Sequence, residues 1–255
     1  MAKRQSGINK ELYLKYYSDK KTDLEISELM RVPHRTISNF RKNILKIPLV
    51  QDTIELNSDE IEVLVGTLLG DSYIGYVHSQ SRTPNLTFSH SIKQEEYFFT
   101  KYNALNKIMS SNLQRQYNEI GVIKGKKCNL SPVNYAIGKC LNCLTEYRNA
   151  FYFNGIKIIP VEYIKDKFTA KSLAYLFMDD GFKNNKTIGL SIPCFEYDNL
   201  KEFVDFLYNK FNIEFIIKKD KSLYLRYKSR EIFYNLVSEY ITSDSVYKIK
   251  HLKNI

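Results

Sequence analysis

An α+β fold, built from two similar αββαββα halves behind a small all-α module, is what this 255-residue sequence predicts. Three observations carry the expectation. Short amphipathic helical segments fill the first 47 residues. From residue 58 the order of helical and strand-like segments appears twice, and each half opens on an apolar helix ending in an aspartate.

Within residues 1–47, Leu12, Leu14, Tyr16 and Tyr17 lie in a short helix that ends near Ser18-Asp19-Lys20. Thr22-Asp23 can cap a second helix over 24–30, with Ile26 and Leu29 as its apolar face. Arg31-Val32-Pro33 interrupts the pattern, and a third helix over 34–45 turns Ile37, Phe40 and Ile44 inward. Two short helices joined by a tight turn, the second presenting Arg35, Thr36, Ser38, Asn39, Arg41 and Lys42 outward, resemble a helix-turn-helix. The module holds 11 basic and 5 acidic residues, a net +6 of the chain's +10. Its last helix is therefore expected to meet a polyanion, although a three-helix bundle can also serve only to pack on a larger domain. Residues 48–57 read as a linker.

The first half, 58–160, starts with a helix over 58–70 capped by Ser58. Strand patterns follow over 73–77 and 85–90, then a helix over 94–109. Strands over 114–122 and 134–137 and a helix over 141–151 complete it. The second half, 161–255, repeats the order: a helix over 170–178, a strand over 187–192 and a helix over 197–211. Strands over 214–218 and 222–227 and a helix over 231–240 end the chain's pattern. Two such halves in one chain imply a monomer with an internal pseudo-two-fold axis.

Composition narrows the partner. Lys+Arg number 38 against 28 Asp+Glu, with a pI near 9.2, which favours a polyanionic partner, although basic surfaces also serve solubility or anionic membranes. No apolar run is long enough to span a membrane, and the polar start Met1-Ala-Lys-Arg lacks a signal region. The expected location is intracellular rather than secreted: a bacterial or phage-infected cytoplasm, or an organelle matrix. Four cysteines, among them the pair Cys140 and Cys143, lack a second close pair of zinc ligands and read as small apolar residues along a helix beginning near Lys139.

The two carboxylate helices are the chemical signal. Leu64-Val65-Gly66-Thr67-Leu68-Leu69-Gly70-Asp71-Ser72 opens the first half, and Leu173-Ala174-Tyr175-Leu176-Phe177-Met178-Asp179-Asp180-Gly181 the second. Gly66 and Gly70 leave one helix face bare, so a second helix can approach closely. An acid at each tip would then share one small site. Acids at a helix C-terminus oppose the helix dipole, which makes a compensating cation plausible.

These segments resemble the paired motifs of the LAGLIDADG homing endonucleases in their single-chain form, over roughly residues 61–250. Ser72 departs from the family's usual glycine. The resemblance implies a DNA-binding saddle of two curved sheets, a site-specific double-strand cut across the minor groove with short 3′ overhangs, and spread of the enzyme's own intron or gene. It places the metal-binding, catalytic acids on Asp71 and Asp180, with Mg²⁺ or Mn²⁺ as cofactor, and gives Asp179 a minor interface role. Lys157, in the Lys157-Ile158-Ile159-Pro160 segment closing the first half, and Lys248, in the analogous place of the second, become candidate catalytic residues that would stabilise the transition state or poise the solvent network.

Double-stranded DNA is the partner so implied, with intron RNA as a further one. Polar residues at alternating strand positions are the candidate base contacts: Tyr76, His78, Gln80, Arg82, Thr87, Ser89, Gln114, Arg115 and Gln116, then Asn184, Lys186, Lys218, Lys219 and Arg226. Two other readings stay open, an RNA-binding maturase that aids splicing and a catalytically inactive transcription regulator. The regulator would be expected to have lost Asp71 and Asp180, and both are present.

Overall fold

The computed structural model describes residues 8–77, 83–116, 121–123, 126–128 and 132–253. One compact unit runs to Glu55 and takes in Leu141–Cys143; the other comprises Leu56–Cys140 and Leu144–Ile255.

The first unit holds α1 (Lys10–Ser18), α2 (Asp23–Met30) and α3 (His34–Asn39), the last continued by a π-helical stretch, Phe40–Leu45. A capping box starts α2: Thr22 accepts from the Glu25 amide, and Glu25 accepts from the Thr22 amide. Arg31, at φ 54°, ends the helix in the left-handed region and turns the chain toward α3. Tyr13, Ile26, Ile37 and Phe40 form the core, with Met30 and Leu45 packed against it. Two expected core residues lie elsewhere: Leu29 and Ile44 are 52% and 63% exposed. Met30, one helical turn after Ile26, takes the inward place in α2. In the π-helical stretch the i→i+5 spacing stacks Leu45, not Ile44, beneath Phe40.

Asp23 organises this unit from within. Buried, it accepts from the Tyr13 hydroxyl at 3.0 Å, the Ser38 hydroxyl at 2.9 Å and Arg41 Nε at 2.9 Å. Arg41 donates as well to the Ile47 carbonyl at 2.9 Å. Arg41 and Ser38 were expected to point outward to a ligand. They instead tie the third helix to the second, because a buried carboxylate needs donors more than the surface needs another cation. Arg35, Asn39 and Lys42 are exposed. Residues 48–53, expected as linker, meet this unit: Tyr17 donates its hydroxyl to the Pro48 carbonyl, and Val50 is buried.

In the second unit α4 (Ser58–Leu69) starts on a capping box whose cap is Asn57. The Asn57 amide oxygen takes the Glu60 N–H and Glu60 returns to the Asn57 N–H, so Ser58, the expected cap, is the first helical residue. β1 (Tyr73–Gly75), β2 (Asn85–Ser91), α5 (Glu95–Ala104) and β3 (Met109–Gln116) follow. Next come the hairpin β4 (Gly121–Ile123) and β5 (Lys126–Cys128), then β6 (Val133–Gly138) and α6 (Cys143–Phe151). The hairpin β7 (Tyr152–Phe153) and β8 (Ile156–Lys157) and the short α7 (Val161–Ile164) lead to the second half. That half runs α8 (Ala170–Asp180), β9 (Gly181–Asn184), β10 (Thr187–Leu190), α9 (Tyr197–Phe211), β11 (Phe215–Ile217), β12 (Leu223–Leu225) and α10 (Arg230–Val237).

Both main sheets are antiparallel, and their orders match. The first is β1-β2-β6-β3 and the second β9-β10-β12-β11, so each half places its first, second, fourth and third principal strands side by side, with β4–β5 added in the first. The repeat is thus topological as well as sequential. Several boundaries moved. The helix expected over 94–109 stops at Ala104, and Leu105, Ile108 and Met109 satisfy their apolar spacing in a turn that enters β3. β4, β5, β7, β8 and β9 span two to four residues each, too few for alternation to signal them. Cys140 is exposed and precedes α6, which begins at Cys143; neither is in a disulfide among the described residues.

The bare face of α4 lies on α8. A Cβ at Gly66 would sit 2.3 Å from the Ser172 carbonyl oxygen, and one at Gly70 would sit 2.5 Å from Asp179 Oδ2. The Ser172 hydroxyl donates across this seam to the Glu62 carbonyl at 2.8 Å. With glycine at both points the helix ends meet.

Asp23→Ala should destabilise the first unit by about 3 kcal/mol, because it strands the buried Arg41 charge and the Tyr13 hydroxyl. Amide exchange across residues 10–45 of the full chain would show it, and unchanged protection would contradict the role given to Asp23.

Candidate active site

Asp71 follows the C-terminal cap of α4, Gly70, and Asp180 is the last residue of α8. Their position at two touching helix ends was legible in the sequence; their surroundings were not. Among the described residues neither carboxylate receives a hydrogen bond, and the nearest polar contact of Asp71 is His90 Nδ1 at 3.8 Å.

Asp179 is the opposite case. Its side chain is wholly buried, and its two oxygens accept four hydrogen bonds. Oδ2 takes the Thr67 hydroxyl at 3.0 Å and the Asp71 backbone N–H at 3.1 Å. Oδ1 takes Lys101 Nζ at 2.6 Å and the Tyr97 hydroxyl at 2.7 Å. Burial by itself pushes an acid up and a lysine down; four donors around the carboxylate and an ammonium at 2.6 Å make the ion pair the favoured state. Lys101 also lies 2.8 Å from His90 Nε2. Burial and the Lys101 charge lower His90 to about 3, so it is neutral. With Nε2 accepting from Lys101, its proton sits on Nδ1 and faces Asp71.

Ser72, where the motif departs from glycine, is buried, and its hydroxyl lies 2.5 Å from the Thr67 hydroxyl that donates to Asp179. The substitution joins this network rather than opening a gap.

The two lysines stand in matching places. Lys157, on β8, donates to the Gly70 carbonyl at 2.6 Å and the Ser72 carbonyl at 3.2 Å. Lys248 donates to the Met178 carbonyl at 2.7 Å. Each ammonium therefore sits at the C-terminal end of a motif helix, where the dipole favours a cation. Burial draws both below ordinary lysine values, against the pull of Asp71, Asp179 and Asp180.

Asp71, His90 and Asp179 offer ligand atoms all within 4.8 Å of one another, the spacing of a metal site. The bonding of these groups argues for a different ligand set. Asp179 is saturated and His90 Nε2 is held by Lys101, whereas Asp71 and Asp180 accept no hydrogen bond among the described residues and lie close enough for the charge of Asp71 to act on Asp180. Burial first, then the charge of Asp179, raises Asp71 to about 6; 44% of its side chain meets solvent, so water screens part of that cost. Burial first, then the charges of Asp71 and Asp179, raises Asp180 to about 8. Crowded, unpaired oxygen ligands of this kind suit a hard divalent cation.

The expected DNA contacts divide three ways. His78, Gln80 and Arg82 lie outside the described residues, as do the side chains of Gln114, Arg115 and Gln116 on β3. Tyr76 is 43% exposed just after β1, and on β2 Thr87 and Ser89 alternate with buried Leu86, Phe88 and His90. In the second half Lys218 and Arg226 come together at one open groove, with Thr187, Tyr224 and Lys228, which the sequence did not single out. Lys186 is exposed in the β9–β10 turn, Asn184 half-buried and Lys219 exposed.

Lys101, His90 and Tyr97 were missed. A signal existed: Tyr97 and Lys101 are one helical turn apart on the buried stripe of α5, and His90 falls on the inward phase of β2. A cation on an apolar stripe needs a partner.

Comparison with known proteins agrees with this geometry. A family model described as the LAGLIDADG DNA endonuclease family matches residues 61–233. The curated protein "Probable intron-encoded endonuclease 1" of Wickerhamomyces canadensis is 29% identical over 214 residues, 76% of this chain and 85% of that protein. The solved structure described as the homing endonuclease I-WcaI bound to its DNA recognition sequence aligns with a TM-score of 0.66 at 26% identity, covering 84% of this chain and 92% of the other.

Asp180 gives a prediction free of any substrate. Its raised value means the protonated form is favoured by folding, so that stability is fully present below about pH 4 and lost as pH rises through about 8. In metal-free protein Asp180→Asn should therefore melt above the parent at about pH 9 and with it at about pH 4, by roughly 2–4 °C per kcal/mol relieved. Melting curves that differ equally at both pH values would contradict this.

Proposed function

The chain belongs to the LAGLIDADG DNA endonuclease family, and from that premise we propose that it is a site-specific homing endonuclease in which Asp71 and Asp180 each serve the cut of one DNA strand. The observation that carries this reading is the pair of carboxylates at the ends of α4 and α8 that accept no hydrogen bond among the described residues, each with a lysine at its helix end. The name and the DNA complex of its relatives point the same way.

Asp71 and Asp180 are the residues that would hold a divalent cation, Mg²⁺ or Mn²⁺. Such an ion supplies neutralisation of phosphate charge and a lower pKa for a water. The protein's own groups do the rest. The helix ends fix the acids, and the buried packing around them excludes water from one side. Lys157 and Lys248, anchored on carbonyls, keep positive charge beside the place where phosphate oxygens gain negative charge. Burial lowers their affinity for a proton, and the three aspartates oppose that shift.

Duplex recognition is assigned to the outer faces of the two sheets, with Thr87 and Ser89 in the first and Lys218 and Arg226 in the second as contacts. The N-terminal helices serve as a helix-turn-helix-like module whose contact set narrows to Arg35, Asn39 and Lys42. No helix of the described residues is long and apolar enough to cross a membrane.

A randomised DNA library incubated with the protein in Mg²⁺ should yield cleaved sites that share one long asymmetric sequence. Asp71→Asn and Asp180→Asn should each lower double-strand cleavage of that sequence by about 10³-fold or more, with binding in Ca²⁺ held within a few-fold. Full cleavage by both single variants would refute the assignment.

A further inference from the structure

The two motifs differ at the position before the aspartate. Gly70 precedes Asp71, whereas Asp179 precedes Asp180. The Asp179 side chain occupies the space that a side chain at 70 would need, since a Cβ there would meet its Oδ2 at 2.5 Å. A reciprocal arrangement is sterically closed.

We propose that Asp179 is a positioning residue for Asp71 alone, a brace reaching from the second half into the first, which makes the two strand cuts unequal. The proposal rests on the endonuclease reading above. One oxygen of Asp179 holds the Asp71 backbone N–H at 3.1 Å and, through the Thr67 hydroxyl, the Ser72 side chain. Its other oxygen is fixed by Lys101 and Tyr97, both on α5 of the first half. α5 is itself anchored at its first turn, where the Tyr97 N–H donates to Asp244 Oδ2 at 3.0 Å. His90, held by Lys101, turns its other nitrogen toward Asp71.

Asp180 has no such support. α9, which takes the place of α5 in the second half, buries only Leu200, Phe203 and Leu207. No buried cation lies on it, and Gly70 offers no side chain. Asp180 is set by the α8 helix, by the Ser191 N–H donating to its own backbone carbonyl at 2.8 Å and by Lys248 on the Met178 carbonyl, with no side chain from the other half on its N–H among the described residues. Loss of the brace should therefore move one carboxylate and spare the other.

The test uses the full chain and a duplex recovered from the library selection, labelled with a different dye on each strand. Asp179→Ala alone would leave Lys101 charged and buried, so the informative variant is Asp179→Ala/Lys101→Met, which removes the pair together. Single-turnover cleavage of the strand most impaired by Asp71→Asn should fall roughly 10–100-fold more than that of the other strand, the scale of a misplaced catalytic group. Nicked duplex should accumulate. Asp179→Asn/Lys101→Met, which keeps an oxygen for the Asp71 N–H, should recover most of the loss. Equal slowing of both strands, or none, would overturn the proposal. Amide exchange at residues 70–73 in protein without DNA reads the brace directly: it should accelerate in the alanine double variant while residues 180–182 stay protected. Unchanged exchange would overturn the brace whatever the cleavage result; exchange as expected in a protein that cuts no DNA would overturn the strand inequality together with the nuclease reading.

Discussion

Everything chemical in this protein depends on how closely α4 can approach α8. Two glycines on one face, Gly66 and Gly70, remove the side chains that would hold the helices apart, and the Ser172 backbone and the Asp179 side chain fill the space. The approach brings two carboxylate-bearing helix ends into one place, which both the carboxylate charges and the helix dipoles oppose. The seam is stable because apolar burial along Leu64, Leu68, Leu173 and Leu176 favours it. Burial and the crowded charges raise both Asp71 and Asp180, a cost that a bound cation would relieve. A site that costs stability when empty and gains it when filled binds with the fold's help.

Around that seam the fold separates groups that neutralise from groups left free. Lys157 and Lys248 are fastened to the carbonyls at the two helix ends, one to each half, so their charges are shared symmetrically. The Asp179–Lys101 pair is fastened to one half only. Pseudo-symmetry thus holds for strand order and for the lysines and fails at the residue before each aspartate. The first unit follows a similar logic on a smaller scale, with Asp23 drawing Arg41 and Ser38 inward.

The division between what the sequence disclosed and what it hid follows contact range. The motif helices, their glycines and their terminal acids are local patterns, and so is the repeat of elements that predicted two matching sheets. The brace is not local. Asp179, Lys101, His90 and Thr67 come from four elements distant in the chain, and only folding reveals which buried charge meets which. Misplaced details have the same origin at shorter range. Ile44 and Leu45 are adjacent, and only a π-helical turn decides which one faces the core. Asn57 and Ser58 are both good caps, and one residue of helix length decides between them. Arg41 reads as a surface cation until Asp23, on the preceding helix, is seen to hold it.

In the proposed site Asp71 and Asp180 are the open ligands, whereas Asp179 is closed by four hydrogen bonds and His90 Nε2 by Lys101. Anomalous diffraction from Mn²⁺ in crystals of the protein with a selected DNA duplex measures this directly. Peaks in contact with the Asp71 and Asp180 carboxylates are the predicted result. A peak ligated by His90 and Asp179, with the Lys101 contact broken, would contradict it.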